Sequence, residues 1–287
     1  MTTEINLKKK SNPRTVFGLF MTGLTGLFLG LTILPLFAVL FYVSGRGLTR
    51  LSFDLFTKLP PPPGLSGGGI GNAIQGTIIV VGIAAMIAVP TGIMVAVYLS
   101  EFSGDNQLSR WVKFSTDVLS GVPSIIAGIF SYGLIVATTG TFSAVAGGIA
   151  LSILMLPTII RTTTEAFQIV PQDVRAASVG IGASNYQTVL RIVIPAALPA
   201  ILTGVTLAVA RASGETAPLI FTALNSPFWF KGIWEPTPTL AVLVYNFAIV
   251  PFNAQKDLAW SGALMLVFLV LLTSVTARLA TRQRNYK

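Results

Sequence analysis

The sequence predicts an all-α integral membrane protein with six transmembrane helices. Three observations carry this. Hydrophobic residues fill 53% of 287 positions while only 10% are charged, long stretches carry no charge at all, and Lys and Arg gather at their flanks. An ordinary soluble domain is about 25% charged, and so apolar a chain cannot cover a water-facing surface with polar groups. A net charge of +9 would suit nucleic acid in a soluble protein. Here the basic residues sit where membrane topology requires them, so the expected surrounding is a lipid bilayer and nucleic acid is set aside. Cys and His are absent, which removes thiol nucleophiles, thiolate metal sites and the usual general base.

A span needs about 20 apolar residues to cross a hydrocarbon core of about 30 Å. Residues 16–43 carry no charge and make the first span, after a basic segment, 1–15. A signal-peptide apolar region is only about 7–15 residues, so this stretch is expected to stay as an anchor. Residues 44–71 read as an external loop, since Pro60–Pro63 and Gly64–Gly71 break any helix there. A five-helix core over 72–280 follows, with spans near Asn72–Leu99, Val112–Ala137, Phe142–Ile160, Leu198–Ala223 and Leu258–Ala280. Thr138–Thr141 supplies a tight turn inside an uncharged run too long for one crossing. Leu240–Val250 is too short to cross and is expected to be buried or re-entrant. Residues 281–287 form a basic tail.

Charge sets the orientation. With the amino terminus inside, the cytoplasmic segments hold Lys8, Lys9, Lys10, Arg14, Arg110, Lys113, Arg161, Arg175, Arg191, Arg278, Arg282, Arg284 and Lys287. The outer loops hold only Arg46, Arg50, Lys58, Lys231 and Lys256. This positive-inside bias predicts both termini in the cytoplasm.

The cytoplasmic loop 161–197 is the most informative segment. Pro171 suits the first turn of a short helix, Gly180 and Gly182 end it, and Ser184 with Gln187 is a capping-box pattern that opens a second helix. Pro195 and Pro199 mark the start of span five. Helix, glycine break, helix is a shape suited to docking a soluble partner, although an amphipathic connector on the lipid surface would show the same local pattern.

Arg211 and Glu215 fall in the middle of the expected fifth span, four residues apart, where each can neutralise the other. An ionised Arg at mid-bilayer costs at least about 2.5–3.5 kcal/mol. A structural ion pair is one reading. The other is a lining group of an anion pathway, to which the Arg fork is suited. Arg161 and Glu165 make a second pair of the same spacing at the end of span four, and Asp117 stands at the start of span three.

The loop resembles the EAA signature of ABC importer permeases. Ala177, Ser178, Gly182, Ile192, Ile194 and Pro195 occupy the pattern, while Ala176, preceded by Arg175, stands where that family usually has Glu. Arg211–Asn225, Val118–Phe130 and Leu156–Thr164 are very similar to the PstA-type permease family of the high-affinity phosphate importer. The resemblance implies a type I ABC importer permease fold in a bacterial cytoplasmic (inner) membrane. It implies that the loop seats in a groove of a PstB-type ATPase dimer, and that a PstC-type permease and a PstS-type phosphate-binding protein complete the assembly. Arg161 and Arg211 match positions implicated there in translocating inorganic phosphate. The chain lacks a G-x-x-x-x-G-K-[ST] phosphate loop, so ATP and Mg would be held by the partner ATPase. No catalytic residue, metal site or cofactor of its own is expected. A permease for another tetrahedral oxyanion, sulfate or molybdate, shares this fold. A gradient-driven secondary transporter would show internal repeats with broken helices, and no convincing repeat is present.

Overall fold

Backbone within hydrocarbon must satisfy its own N–H and C=O groups, and the apolar runs of this chain accordingly fold as helices. The computed structural model describes residues 13–104 and 106–282. Lys8, Lys9, Lys10, Arg284 and Lys287 lie outside these.

The chain divides into two units, residues 1–46 and 47–287. The first is formed by α1 (Pro13–Gly47), 35 residues long, or about 52 Å at 1.5 Å per residue. That exceeds a bilayer core.

The second unit begins with a 3₁₀ turn (Leu48–Arg50) and the short α2 (Phe53–Thr57) inside the segment read as a loop. Next come α3 (Gly71–Val97), prolonged by a π-turn (Tyr98–Phe102), and α4 (Gln107–Gly121). Then follow α5 (Ser124–Ser131), a π-turn (Tyr132–Val136) and α6 (Ala137–Thr139). The chain continues with α7 (Ala144–Gln168), α8 (Gln172–Gly180), α9 (Asn185–Thr188), a π-turn (Val189–Val193) and α10 (Ile194–Gly214). It closes with α11 (Ala217–Ile220), α12 (Leu240–Ile249) and α13 (Asn253–Arg282). Among the described residues, five helical segments are long and apolar enough to cross a membrane, and the bent pair around Val122 makes a sixth.

The centre of the second unit is built from α3, α7 and α10. Val80, Ala84 and Ala88 pack with Leu151, Met155, Ile159, Ala208 and Ala212. Small residues admit the close approaches. A Cβ on Gly92 would meet Ile159, and one on Gly204 would meet Thr162, so both positions let helices touch as membrane interfaces favour. A second cluster joins Leu55, Ile70, Ala73, Leu240, Leu243 and Leu258. It covers α12, whose first residue donates its backbone N–H to Thr77 Oγ1 at 2.8 Å. The ten residues of α12 are too few to cross, as the sequence predicts. Intrahelical bonds satisfy many hydroxyls: Thr91, Thr162, Thr203 and Thr206 each donate to the carbonyl four residues back.

Two expected spans are corrected. Val112–Ala137 is not one helix, because α4 and the following helix bend by 107°. Pro123 lacks an N–H and forces the residue before it out of helical geometry, and Val122 is extended at φ −71°, ψ 128°. The expected span is therefore two arms, 107–121 and 124–139, joined at the bend, and α4 is its amphipathic arm. Leu108, Trp111, Phe114 and Val118 are exposed along one side of α4, and Lys113 and Asp117 share another. Left-handed Gly140 (φ 74°) then makes the turn expected near Thr138–Thr141, and Ser143 caps α7 by accepting from Ala146 N–H at 3.1 Å.

Leu198–Ala223 is likewise not a span. The helical segment runs from Asn185 to Gly214 and ends where Glu215 is extended at ψ 125°. The ring of Pro195 clashes with the carbonyl four residues earlier, that of Arg191. The backbone widens into the π-turn there instead of stopping.

Candidate functional site: a docking loop and two arginine pairs

The loop closes by local chemistry. Pro171 is extended before α8, Gly182 adopts φ 90° after it, and Gly182 and Ala183 donate to the carbonyls of Val179 and Ser178. Both halves of the capping box form: Ser184 N–H donates to Gln187 Oε1 at 2.9 Å and Gln187 N–H to Ser184 Oγ at 3.3 Å. Ser178 is buried, its hydroxyl 2.9 Å from that of Thr188, which ties α8 to α9. Ala176 and Ala177 are exposed, Ile192 and Ile194 half-buried and Pro195 exposed. Ile194 packs with Ala96, Phe167 and Val193 beneath the loop.

Arg175 is fixed more firmly than its position in a loop suggests. Its Nε and Nη2 donate to Glu101 Oε2 and Oε1 at 3.2 and 2.9 Å. Its remaining donors reach the carbonyls of Phe167 and Val170, at and just past the end of α7, where a cation is favoured. Both side chains of the pair are largely buried, 14% and 9% exposed. Sequence reasoning missed Glu101. Its one signal is that it is the first charge after the uncharged second span. Beside it opens a groove of about 970 Å³, lined by Glu101, Lys113, Gln168, Asp173, Arg175 and Ala176 among others.

The two other arginines are each paired, one differently from expectation. Arg161 bonds Asp117 on α4 through Nη2 at 2.9 Å, not Glu165 one turn away. Once the chain bends at Val122, the polar side of α4 lies along α7, and Asp117 reaches the guanidinium. Arg211 lies 3.5 Å from Glu215, with side chains 65% and 20% exposed. This pair stands at the break between α10 and α11, not at mid-helix. A crevice of only about 10 Å³ lies among Met155, Thr158, Arg211 and Glu215, room for one water at most. Gly204 rests on Thr162 while Arg211 lies beside Met155, so α7 and α10 run antiparallel. Arg161 is therefore about 9 Å of helix rise from the level of Arg211; the chain stacks the two arginines without bringing them together.

Among the described residues, five crossing helices and one bent pair thus carry a glycine-broken helical loop and three paired arginines, Arg161, Arg175 and Arg211. The description "Binding-protein-dependent transport system inner membrane component" matches residues 88–284, and the chain belongs to that family. It is 38% identical over 248 residues to the phosphate transport system permease protein PstA of Yersinia pestis, covering 86% of this chain and 84% of that one. The PstA of Haemophilus influenzae is 38% identical over 283 residues, 97% and 98% of the two chains. Among solved structures, a bacterial alginate ABC transporter in complex with a pentasaccharide-bound periplasmic protein superposes with TM-score 0.65 at 14% identity, covering 93% of this chain and 94% of that one. The inward-facing MetNI methionine ABC transporter gives 0.60 at 21%, covering 75% and 94%. The fold is that of a type I ABC importer permease.

Proposed function

We infer that this chain is the membrane-spanning permease subunit of an ATP-driven importer of inorganic phosphate. The observation that carries the reading is the Arg211–Glu215 pair at a helix break, in a chain 38% identical to PstA permeases along nearly its whole length. A guanidinium presents a planar fork of donors suited to a tetrahedral oxyanion. The crevice at Arg211 is too small to hold one, which supports a pathway completed by a second permease, so that this chain supplies half of it. Arg161 lies further along the same route.

The partners are a PstC-type permease, a PstB-type ATPase dimer and a PstS-type external binding protein. The exposed surface of 172–187, with Ile181 and Tyr186 uncovered, docks the ATPase on the cytoplasmic side, and both termini lie on that side of the inner membrane. ATP and Mg belong to the partner, and this chain binds no cofactor. Closure of the ATPase dimer displaces α8 and α9. Arg175 passes that displacement to α3 through Glu101, and the unbroken 185–214 segment passes it to Arg211.

The test is [³²P]phosphate uptake by cells whose permease carries Arg211→Ala. Uptake is expected to be lost while the complex still assembles, and wild-type uptake would refute the pathway role. Excess sulfate or molybdate is expected not to compete; competition would favour another oxyanion as cargo.

A further inference from the structure

Asp117 is on α4 and Arg161 on α7, 44 positions apart, and they meet through a single contact, Asp117 Oδ1 to Arg161 Nη2 at 2.9 Å. Arg161 makes no other side-chain hydrogen bond among the described residues. No bond to its Nε or Nη1 is present among the described residues, and the carboxylate takes one N–H of Nη2, the nitrogen shared by both two-pronged edges of a guanidinium, so it competes with an oxyanion for one of those edges. Within this chain neither side chain is covered, at 59% and 67% exposed, so no residue of the chain bars an anion from the pair. An exposed pair of this kind couples by only about fivefold in affinity at most. Asp117 can therefore be displaced by an anion and can displace one in turn. Arg175 contrasts with this, since a buried two-point pair and two carbonyls hold its guanidinium.

We propose that Asp117 is the counter-ion that empties Arg161: its carboxylate yields Nη2 to phosphate and returns to expel it. This makes Asp117 a positioning residue that sets how long phosphate dwells on the second arginine, and it rests on the pathway reading above. Asp117 carries the displacing charge on α4, which a 107° bend sets off from the helix that follows, while Arg161 sits within the long helix α7.

The experiment uses the complete complex in nanodiscs, without nucleotide or external binding protein, and measures equilibrium binding of [³²P]phosphate. Asp117→Asn is expected to bind up to about fivefold more tightly than wild type. Asp117→Glu should match wild type, and adding Arg161→Gln to Asp117→Asn should abolish the gain. In proteoliposomes, Asp117→Asn should lower the maximal uptake rate at an unchanged half-saturating phosphate concentration. A merely structural role would alter assembly without tightening phosphate binding. Unchanged binding by an assembled Asp117→Asn complex overturns the proposal, as does a gain that survives Arg161→Gln. If Arg211→Ala abolishes uptake while Asp117→Asn binds as wild type does, only the counter-ion role falls. Wild-type uptake by both Arg211→Ala and Arg161→Gln removes the pathway itself.

Discussion

Arg175 and Glu101, 74 positions apart, form a two-point ion pair that pins α8 to the end of the second span. The pair is nearly buried, so removing one partner leaves the other charge without compensation, at a cost of about 3–5 kcal/mol. Arg175→Met is therefore expected to lower the thermal midpoint of the purified complex and to reduce co-purification of the ATPase. Combining it with Glu101→Leu should recover part of the midpoint, because an apolar pair leaves no stranded charge. A midpoint unchanged by Arg175→Met would show that the pair bears no load.

Gly182 adopts φ 90° between the two loop helices. A β-branched residue in that conformation costs at least about 1–2 kcal/mol. Gly182→Val should weaken retention of the ATPase in a pull-down, while Gly180→Ala, whose added Cβ meets nothing, should not. Equal retention by the two variants would show that the turn geometry is dispensable.

Natural absence of cysteine allows single-cysteine mapping of the bend at Val122. Ser120 is exposed on α4, whereas one straight span from Val112 would place it about 12 Å into the membrane. Ser120→Cys should react with a membrane-impermeant maleimide in inside-out vesicles about as fast as Lys113→Cys. Protection of Ser120→Cys alone would restore the straight span.

Glu215 lies 3.5 Å from Arg211 at the end of α10. Glu215→Gln removes the competing carboxylate while keeping shape and hydrogen bonding, so phosphate should dwell longer on Arg211. A reduced maximal uptake rate with normal complex yield is expected from initial-rate measurements. Unaltered uptake would assign the pair a purely structural part.

Local features were legible in the sequence and long-range ones were not. The Ser184–Gln187 capping box and the Gly182 turn depend on residues within four positions of one another, and the loop folds as its sequence predicts. Hydropathy likewise exposed the crossing segments, because their charge-free length is a property of each run alone. It could not show the bend at Pro123, since an apolar run reads the same straight or folded. That bend changed the partner of Arg161: the helical i,i+4 rule favours Glu165, and Asp117 competes only once α4 lies along α7. Glu101 was hidden for the same reason, separated from Arg175 by two membrane crossings.

The uninterrupted run from the capping box to Glu215 has a mechanical consequence. Thirty residues from Asn185 to Gly214 form one rod about 45 Å long, with the Thr188 hydroxyl tied to α8 near one tip and Arg211 near the other. Gly204, seated on Thr162, lies between the tips at a close approach of α10 to α7. Were the rod to pivot at that contact, a tilt imposed at the loop would reappear at Arg211 in the opposite direction, and pressing the loop inward would swing the guanidinium outward.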